Sequence, residues 1–408
     1  MSRIYDAFTV CGIEIEYGIV DKTTLDCRPI ADQVLIDPTG AVANEIARGP
    51  FAWSNEFAWH VLEVKTREPV ASLDQMLDGF QGEVQALNQR LDGFGTRLMP
   101  TAMHPWMNPS REAMMWPNDP EGIYGTYSRI FDTRTHGWAN LQSVHVNLPF
   151  ADEAQFVRLH EAIRLILPII PALAASSPVA DGRLSGVADY RLVAYRNNAP
   201  KHPAIAGRVI PETVSGRAQY EETVLAPMYR SIAASDPEGV LQDEWLNSRG
   251  AIARFQRQSI EIRLIDAQEC PLADLSVAAA VIAAVRLLYD EGAFAAPPAT
   301  ESLVDIFDAC VAKADEATIA QTAYLDRLGY SGRSCSARDL WQHLITRAEE
   351  SRVLTDGFWK EPLGIILKQG SLARRIERAL GRGISRSHLK DIYGELCDCL
   401  HEGKMFLP

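Results

Sequence analysis

The amino-acid sequence predicts an α+β fold: an antiparallel sheet with one open face and helices packed against the other. Three observations carry that expectation. Four segments alternate apolar and polar residues instead of running apolar throughout, the pattern of a sheet with one solvated face. Long stretches of helical period lie between and after them. Neither G-x-G-x-x-G nor G-x-x-x-x-G-K-[ST] follows any strand, which speaks against a parallel nucleotide-binding sheet.

The strand segments are 8–20 ("FTVCGIEIEYGIV"), 58–66 ("AWHVLEVKT"), 141–149 ("LQSVHVNLP") and 252–266 ("IARFQRQSIEIRLID"). A helix is expected over 72–92, with Ser72 as N-cap and Met76, Phe80, Val84, Leu87 and Leu91 at helical spacing. Another covers 152–175, where Pro168 and Pro171 should bend or end it. Residues 272–291 are rich enough in Ala and Val to be buried on most sides. The Pro- and Arg-rich stretch 177–215 reads as a long ordered loop, and beyond 300 helices are expected at 301–328, 336–351, 371–381 and 385–401. The organisation is therefore a core at 1–295 and a helical part at 296–408 packed on it as one domain.

Composition narrows the function. Over 408 residues the chain is 47% hydrophobic and 23% charged, an ordinary globular balance. A formal net charge of −13 argues against non-specific nucleic-acid binding but leaves room for a nucleotide ligand. The N-terminus lacks a signal-peptide pattern, and the apolar runs "LILPIIPALAA" and "SVAAAVIAAVRLLY" are too short, or broken by Pro or Arg, to suggest a membrane span. Seven thinly spread cysteines suggest reduced thiols and a cytoplasmic chain; Cys397 and Cys399 fall on different faces of a helix, as structural thiols. No cysteine carries the pattern of a nucleophile.

A period of two applied to each strand brings out one repeated device. Glu14 and Glu16 oppose Ile13, Ile15 and Tyr17; Glu63 and Lys65 oppose Leu62 and Val64. Ser143, His145 and Asn147 oppose Val144, Val146 and Leu148; Glu261 and Arg263 oppose Ile260, Ile262 and Leu264. His60 lies on the aliphatic face and reads as structural. Each piece alone has a plain reading, such as a solvated E-x-E face, a hydrogen-bonded histidine or a cross-strand ion pair. Repeated glutamate on the same face of three strands fits those readings less well. Four carboxylates and a histidine converging there would repel unless cations held them. Mg²⁺ suits such oxygen ligands and bridges to phosphates, while arginines grip phosphate or carboxylate. A zinc hydrolase would want a spacing such as H-E-x-x-H, which is absent.

The segments "GIEIEYG", "HVLEVKT", "MHPWM", "LQSVHVNLPF", "SSPVADGRLSGVADYR" and "SIEIRLIDAQECPLAD" resemble, in order over about residues 8–290, the motifs of the glutamate–cysteine ligase type 2 family of carboxylate–amine ligases. The resemblance implies a curved antiparallel sheet forming a funnel for ATP and Mg²⁺, as in glutamine synthetase and guanido kinases. It also implies ATP-dependent amide formation through an acyl phosphate, with glutamate's γ-carboxylate as the default carboxylate. By the same resemblance Glu14, Glu16, Glu63, His145 and Glu261 fall at metal and phosphate positions, and Glu14, Glu16, His145 and Arg263 would meet the nucleotide. Arg263 matches the partner of Glu261, Asn147 the polar position two after the histidine, and Arg191 a substrate-gripping arginine; these three are the catalytic candidates. Loops around Trp106, Trp116 and Arg196 are expected as lids, and helix 272–291 with the helical C-terminus as a homodimer face. The amine stays open between an amino acid, a small alkylamine and a peptide terminus. A phosphotransferase of the same fold and a non-catalytic nucleotide-binding protein are the alternatives.

Overall fold

A computed structural model describes residues 4–292, 298–381 and 383–408; the expected boundary at 295 lies outside them. Eight strands form one sheet: β1 (Gly12–Asp21), β2 (Glu45–Arg48), β3 (Phe51–Asn55), β4 (Val61–Thr66), β5 (Thr96–Met99), β6 (Ser143–Pro149), β7 (Ala251–Arg254) and β8 (Ser259–Asp266). Their order is β2-β3-β4-β1-β6-β8-β7, with β5 also paired to β1, and every pairing is antiparallel.

The alternation sorts the faces as expected. Ile13, Ile15, Tyr17, Leu62, Val64, Val144, Val146, Leu148, Ile260 and Ile262 are fully buried in the core. Over that face pack α1 (Leu77–Asp92), α2 (Glu153–Ile166) and α4 (Pro271–Glu291). The last has 21 residues and is long and apolar enough to cross a membrane, which corrects the expectation that no run reaches that length. Yet 78% of that apolar window is buried inside the chain, so it reads as a core helix.

Several boundaries move for physical reasons. Segment 252–266 is a hairpin, β7 and β8, turning through Gln258 at φ 50°. Two further strands lie at 45–55: β3 carries no alternation because all five of its residues are buried, and β2 is a four-residue, mostly exposed edge strand. α1 begins at Leu77, because Ser72 instead bonds to Asp74. Pro168 and Pro171 do interrupt 152–175: α2 ends at Ile166, a 3₁₀ turn follows, and a short helix covers Ile170–Ala174. The 177–215 segment holds a helix, α3 (Tyr190–Arg196), whose N-cap Asp189 accepts from the Leu192 amide. The 301–328 helix stops at Lys313 and resumes as Thr322–Arg327.

Two of the expected lids are core instead. Trp116 is fully buried and donates Nε1–H to Asn44. Trp106 packs against His104 and Tyr393 and donates to Asp26. Arg196 is paired with Asp308 at the surface.

Candidate active site

The strand register builds the polar face row by row. In one row Lys65 of β4 stands opposite Glu14 of β1, and Glu14 opposite His145 of β6. In the next, Ser54 of β3 faces Glu63, which faces Glu16. A third row places Asn147 opposite Glu261. Glu14, Glu16, Glu63, His145, Glu261 and Asn147 therefore come together on one sheet face by backbone pairing, and Arg263, two residues after Glu261, joins them in the same cavity.

His145 is the hub. Its Nδ1 lies 3.4 Å from Glu14 Oε2 and 3.9 Å from Glu261 Oε1, and its Nε2 lies 2.9 Å from Ser143 Oγ. Burial disfavours the imidazolium, but Glu14, Glu16 and Glu261 outweigh it and hold the pKa up at about 9. Glu16 Oε2 accepts from the Ser143 amide at 2.7 Å, and Asn147 Nδ2 donates to Glu14 Oε1 at 3.1 Å. Burial would raise Glu14, but the hydrogen bond and charge of His145, then Lys65, keep it well below the usual carboxylate range.

The flanks differ. Glu261 receives Arg263 Nε at 2.5 Å and Arg254 Nη1 at 3.2 Å; burial would raise its pKa, but Arg263 brings it down. On the other side Glu63 accepts from Ser54 Oγ at 2.7 Å and pairs with Lys65 at 3.1 Å. Burial and the Glu14 charge nevertheless push its pKa up to about 7. Glu56, just past β3, is also raised well above the usual carboxylate range, by burial and by the charges of Glu16 and Glu63.

These side chains line a cavity of about 610 Å³ walled on one side by Tyr124, Tyr127, Trp138, Tyr195 and Trp245. A second cavity of about 480 Å³ meets it at Glu14, Lys65 and Arg257 and is lined by Asn147, so the polar face floors one continuous trough. Two groups offer ligand atoms within 4.8 Å of one another: Glu14 with Glu63 and His145, and Glu16 with Glu56 and Glu63. In the second group Glu56 and Glu63 carry raised pKa values, and its all-carboxylate donors are of the kind a hard divalent ion takes.

Residues 10–335 match the sequence model of Glutamate-cysteine ligase family 2. An uncharacterized protein of Archaeoglobus fulgidus is 31% identical over 97% of this chain and 100% of its own length. The chain belongs to glutamate–cysteine ligase family 2. A putative glutamate–cysteine ligase 2 of Bradyrhizobium is 29% identical over 68% of this chain and 62% of its own length. The fold is that of a Francisella tularensis glutamate–cysteine ligase solved in complex with AMP, at TM-score 0.61 and 14% identity over 98% of this chain and 90% of that one.

In this family 2 chain the expected Arg191 lies on α3, 1% exposed, with Nε on Asp266 and both Nη atoms 3.3 Å from the Arg263 carbonyl. Sequence reading missed Glu56, Ser54, Ser143 as a ligand of Glu16, Arg254, Asp266 and the aromatic wall. Ser143 was on the correct face, and its closeness to Glu16 follows from the register once β1 and β6 are known to be neighbours.

Proposed function

We propose that this protein is an ATP- and Mg²⁺-dependent carboxylate–amine ligase, with glutamate's γ-carboxylate as its acid substrate. The observation that carries the reading is the convergence of five carboxylates and His145 with Arg254 and Arg263 in one trough, with Glu14, Glu16, Glu63, His145 and Glu261 brought there by strand register. Glu14, Glu16, Glu56, Glu63 and His145 would hold Mg²⁺, which when bound supplies charge neutralisation at transferring phosphate oxygens.

The chain's own groups divide the remaining work. Arg254, Arg257 and Arg263 form a basic wall suited to phosphate and carboxylate. A γ-carboxylate oxygen attacks the γ-phosphorus of ATP, ADP leaves, and an acyl phosphate forms. The amine nitrogen then attacks the acyl carbon, phosphate leaves, and the amine loses a proton. The walls of the trough limit water, so the amine collects the acyl group. Asn147 orients Glu14, and Ser143 orients Glu16, so that their outer oxygens keep one direction. The family membership and the Francisella fold support the reaction class. Seven unpaired cysteines, five of them buried, support a cytoplasmic setting.

The test is a substrate matrix: purified protein, ATP, Mg²⁺, glutamate and other carboxylates, and a panel of amines, read by mass spectrometry. Amide with stoichiometric ADP and phosphate is expected. ADP with a stable acyl phosphate and no amide would make the protein a phosphotransferase, and no ADP under any condition would leave only nucleotide binding.

A further inference from the structure

The pairing of β8 with β6 contains a break. Ile262 stands opposite Val146, but Ile265, three residues on, stands opposite Val144. Two residues, Arg263 and Leu264, thus face one, His145. A bulge of this kind bends the strand, re-aims a side chain and frees backbone groups from the ladder. It also reverses the parity of the strand beyond it. Asp266, even-numbered like core residues Ile260 and Ile262, ends up in register with Ser143 of the polar face.

Three contacts fix the bulge. The Arg263 amide donates to the Gly250 carbonyl at 2.9 Å. The Leu264 side chain fills the space a Cβ on Gly250 would need, with its Cγ 2.6 Å from that position. The Arg263 carbonyl accepts from both Nη atoms of Arg191 at 3.3 Å. Arg191 is in turn held from behind by Asp266, through Nε and Oδ1. The other Asp266 oxygen accepts from the Ser176 amide at 2.8 Å and Ser177 Oγ at 3.1 Å.

We infer that Arg191, which also lines the trough, is a positioning residue: it clamps the β8 bulge through the Arg263 carbonyl, and the clamped bulge aims the Arg263 guanidinium along Glu261. The rigid guanidinium fork can give one N–H to a carboxylate and two more to a carbonyl, whereas an ammonium on a flexible stem cannot hold that geometry. With three of its nitrogens committed, Arg191 acts through Arg263. The consequence for turnover rests on the ligase reading; the geometry does not.

Two variants attack the bulge from opposite sides. Arg191→Lys keeps a cation beside Asp266 but loses the fork, and Gly250→Ala crowds Leu264 without touching a charge. Each is made alone and with Arg263→Met, and assayed well below its melting temperature. Each single variant should lower kcat about 10- to 100-fold, the cost of a misplacement near 1 Å, with the KM for the amine little changed. In the Arg263→Met background neither should have a further effect. The same fold loss in both backgrounds overturns the clamp, because Arg191 would then act on substrate or on stability directly. Should Arg191→Lys fail to fold, Gly250→Ala carries the same cycle. Crystal structures of the single variants give a readout independent of turnover: Arg263 Nε should leave Glu261, and an unmoved Arg263 also overturns the clamp. A wild-type protein inactive on the whole panel, with Arg263 displaced in the variants, would sink the ligase reading and leave the clamp standing.

Discussion

The two halves of the polar face meet the same problem, buried carboxylates, with opposite answers. On the β6–β8 side the chain supplies the cations itself: Glu261 lies between Arg254 and Arg263, and Asp266 is paired with Arg191. On the β3–β4 side Glu16, Glu56 and Glu63 share His145, 3.9 Å from Glu16, and Lys65, which is also 3.0 Å from Glu45. Taking a carboxylate out of water is costly unless its charge is matched. The first half therefore carries its own cations, and on the proposed reading a ligand completes the second.

The largest expected effect lies on the unmatched side. Glu63→Gln should cut ADP release by more than about 100-fold, beyond what loss of a metal's outer-shell partner costs. Its melting temperature without ligand should hold or rise, because the substitution relieves repulsion from Glu14 and Glu16. Turnover within tenfold of wild type would remove Glu63 from the site.

On the matched side the balance reverses. Glu261→Gln leaves Arg254 and Arg263 facing each other without their shared carboxylate, and breaking a buried pair of this kind costs about 3 kcal/mol. Thermal or urea unfolding measures it directly. If Glu261→Gln and Glu63→Gln melt alike, the division between the two halves fails.

A ligand should act on the unmatched side alone. Mg²⁺ with ATP at a hundredfold excess over its Kd should protect the wild-type protein by about 2.7 kcal/mol. Most of that protection should vanish in Glu63→Gln, and Zn²⁺ without nucleotide should give none. Equal protection by Zn²⁺ alone would point to Glu14, Glu63 and His145 as a zinc site and back to hydrolase chemistry.

The same contrast explains what was legible in the sequence. Residues on strands with one open face announced themselves by a period of two, which is why Glu14, Glu16, Glu63, His145, Glu261 and Arg263 could be placed from the pattern alone. Glu56 follows a strand buried on both faces, where no alternation exists to mark it. Asp266 was hidden by parity, since a bulge is one extra residue that no periodicity reveals. Trp106 and Trp116 looked like lid residues because they stand among loop residues, and only packing shows them to be core.

A third answer to the buried acid lies away from the trough, and it is testable by pH. Asp274, at the start of α4, accepts from the Gln268 amide at 2.6 Å and from the Tyr17 hydroxyl at 3.3 Å, with no cation paired to it among the described residues. Burial pushes its pKa up from 3.8 to about 8, so the folded protein keeps a proton there that the unfolded chain releases. Between those two pH values the folded state binds the extra proton, and stability must fall as pH rises. The contribution is complete below about pH 4 and gone once the folded carboxyl ionises near pH 8. The slope has a ceiling of about 1.4 kcal/mol per pH unit for one group. Asp274→Asn keeps the shape of the protonated acid without its titration, and its amide oxygen can still accept from Gln268. Urea unfolding at pH 5 and pH 8 should therefore show the wild-type protein losing more stability over that interval than Asp274→Asn. Equal losses in the two proteins would mean that Asp274 is ionised in the fold and that a cation, not a proton, neutralises it.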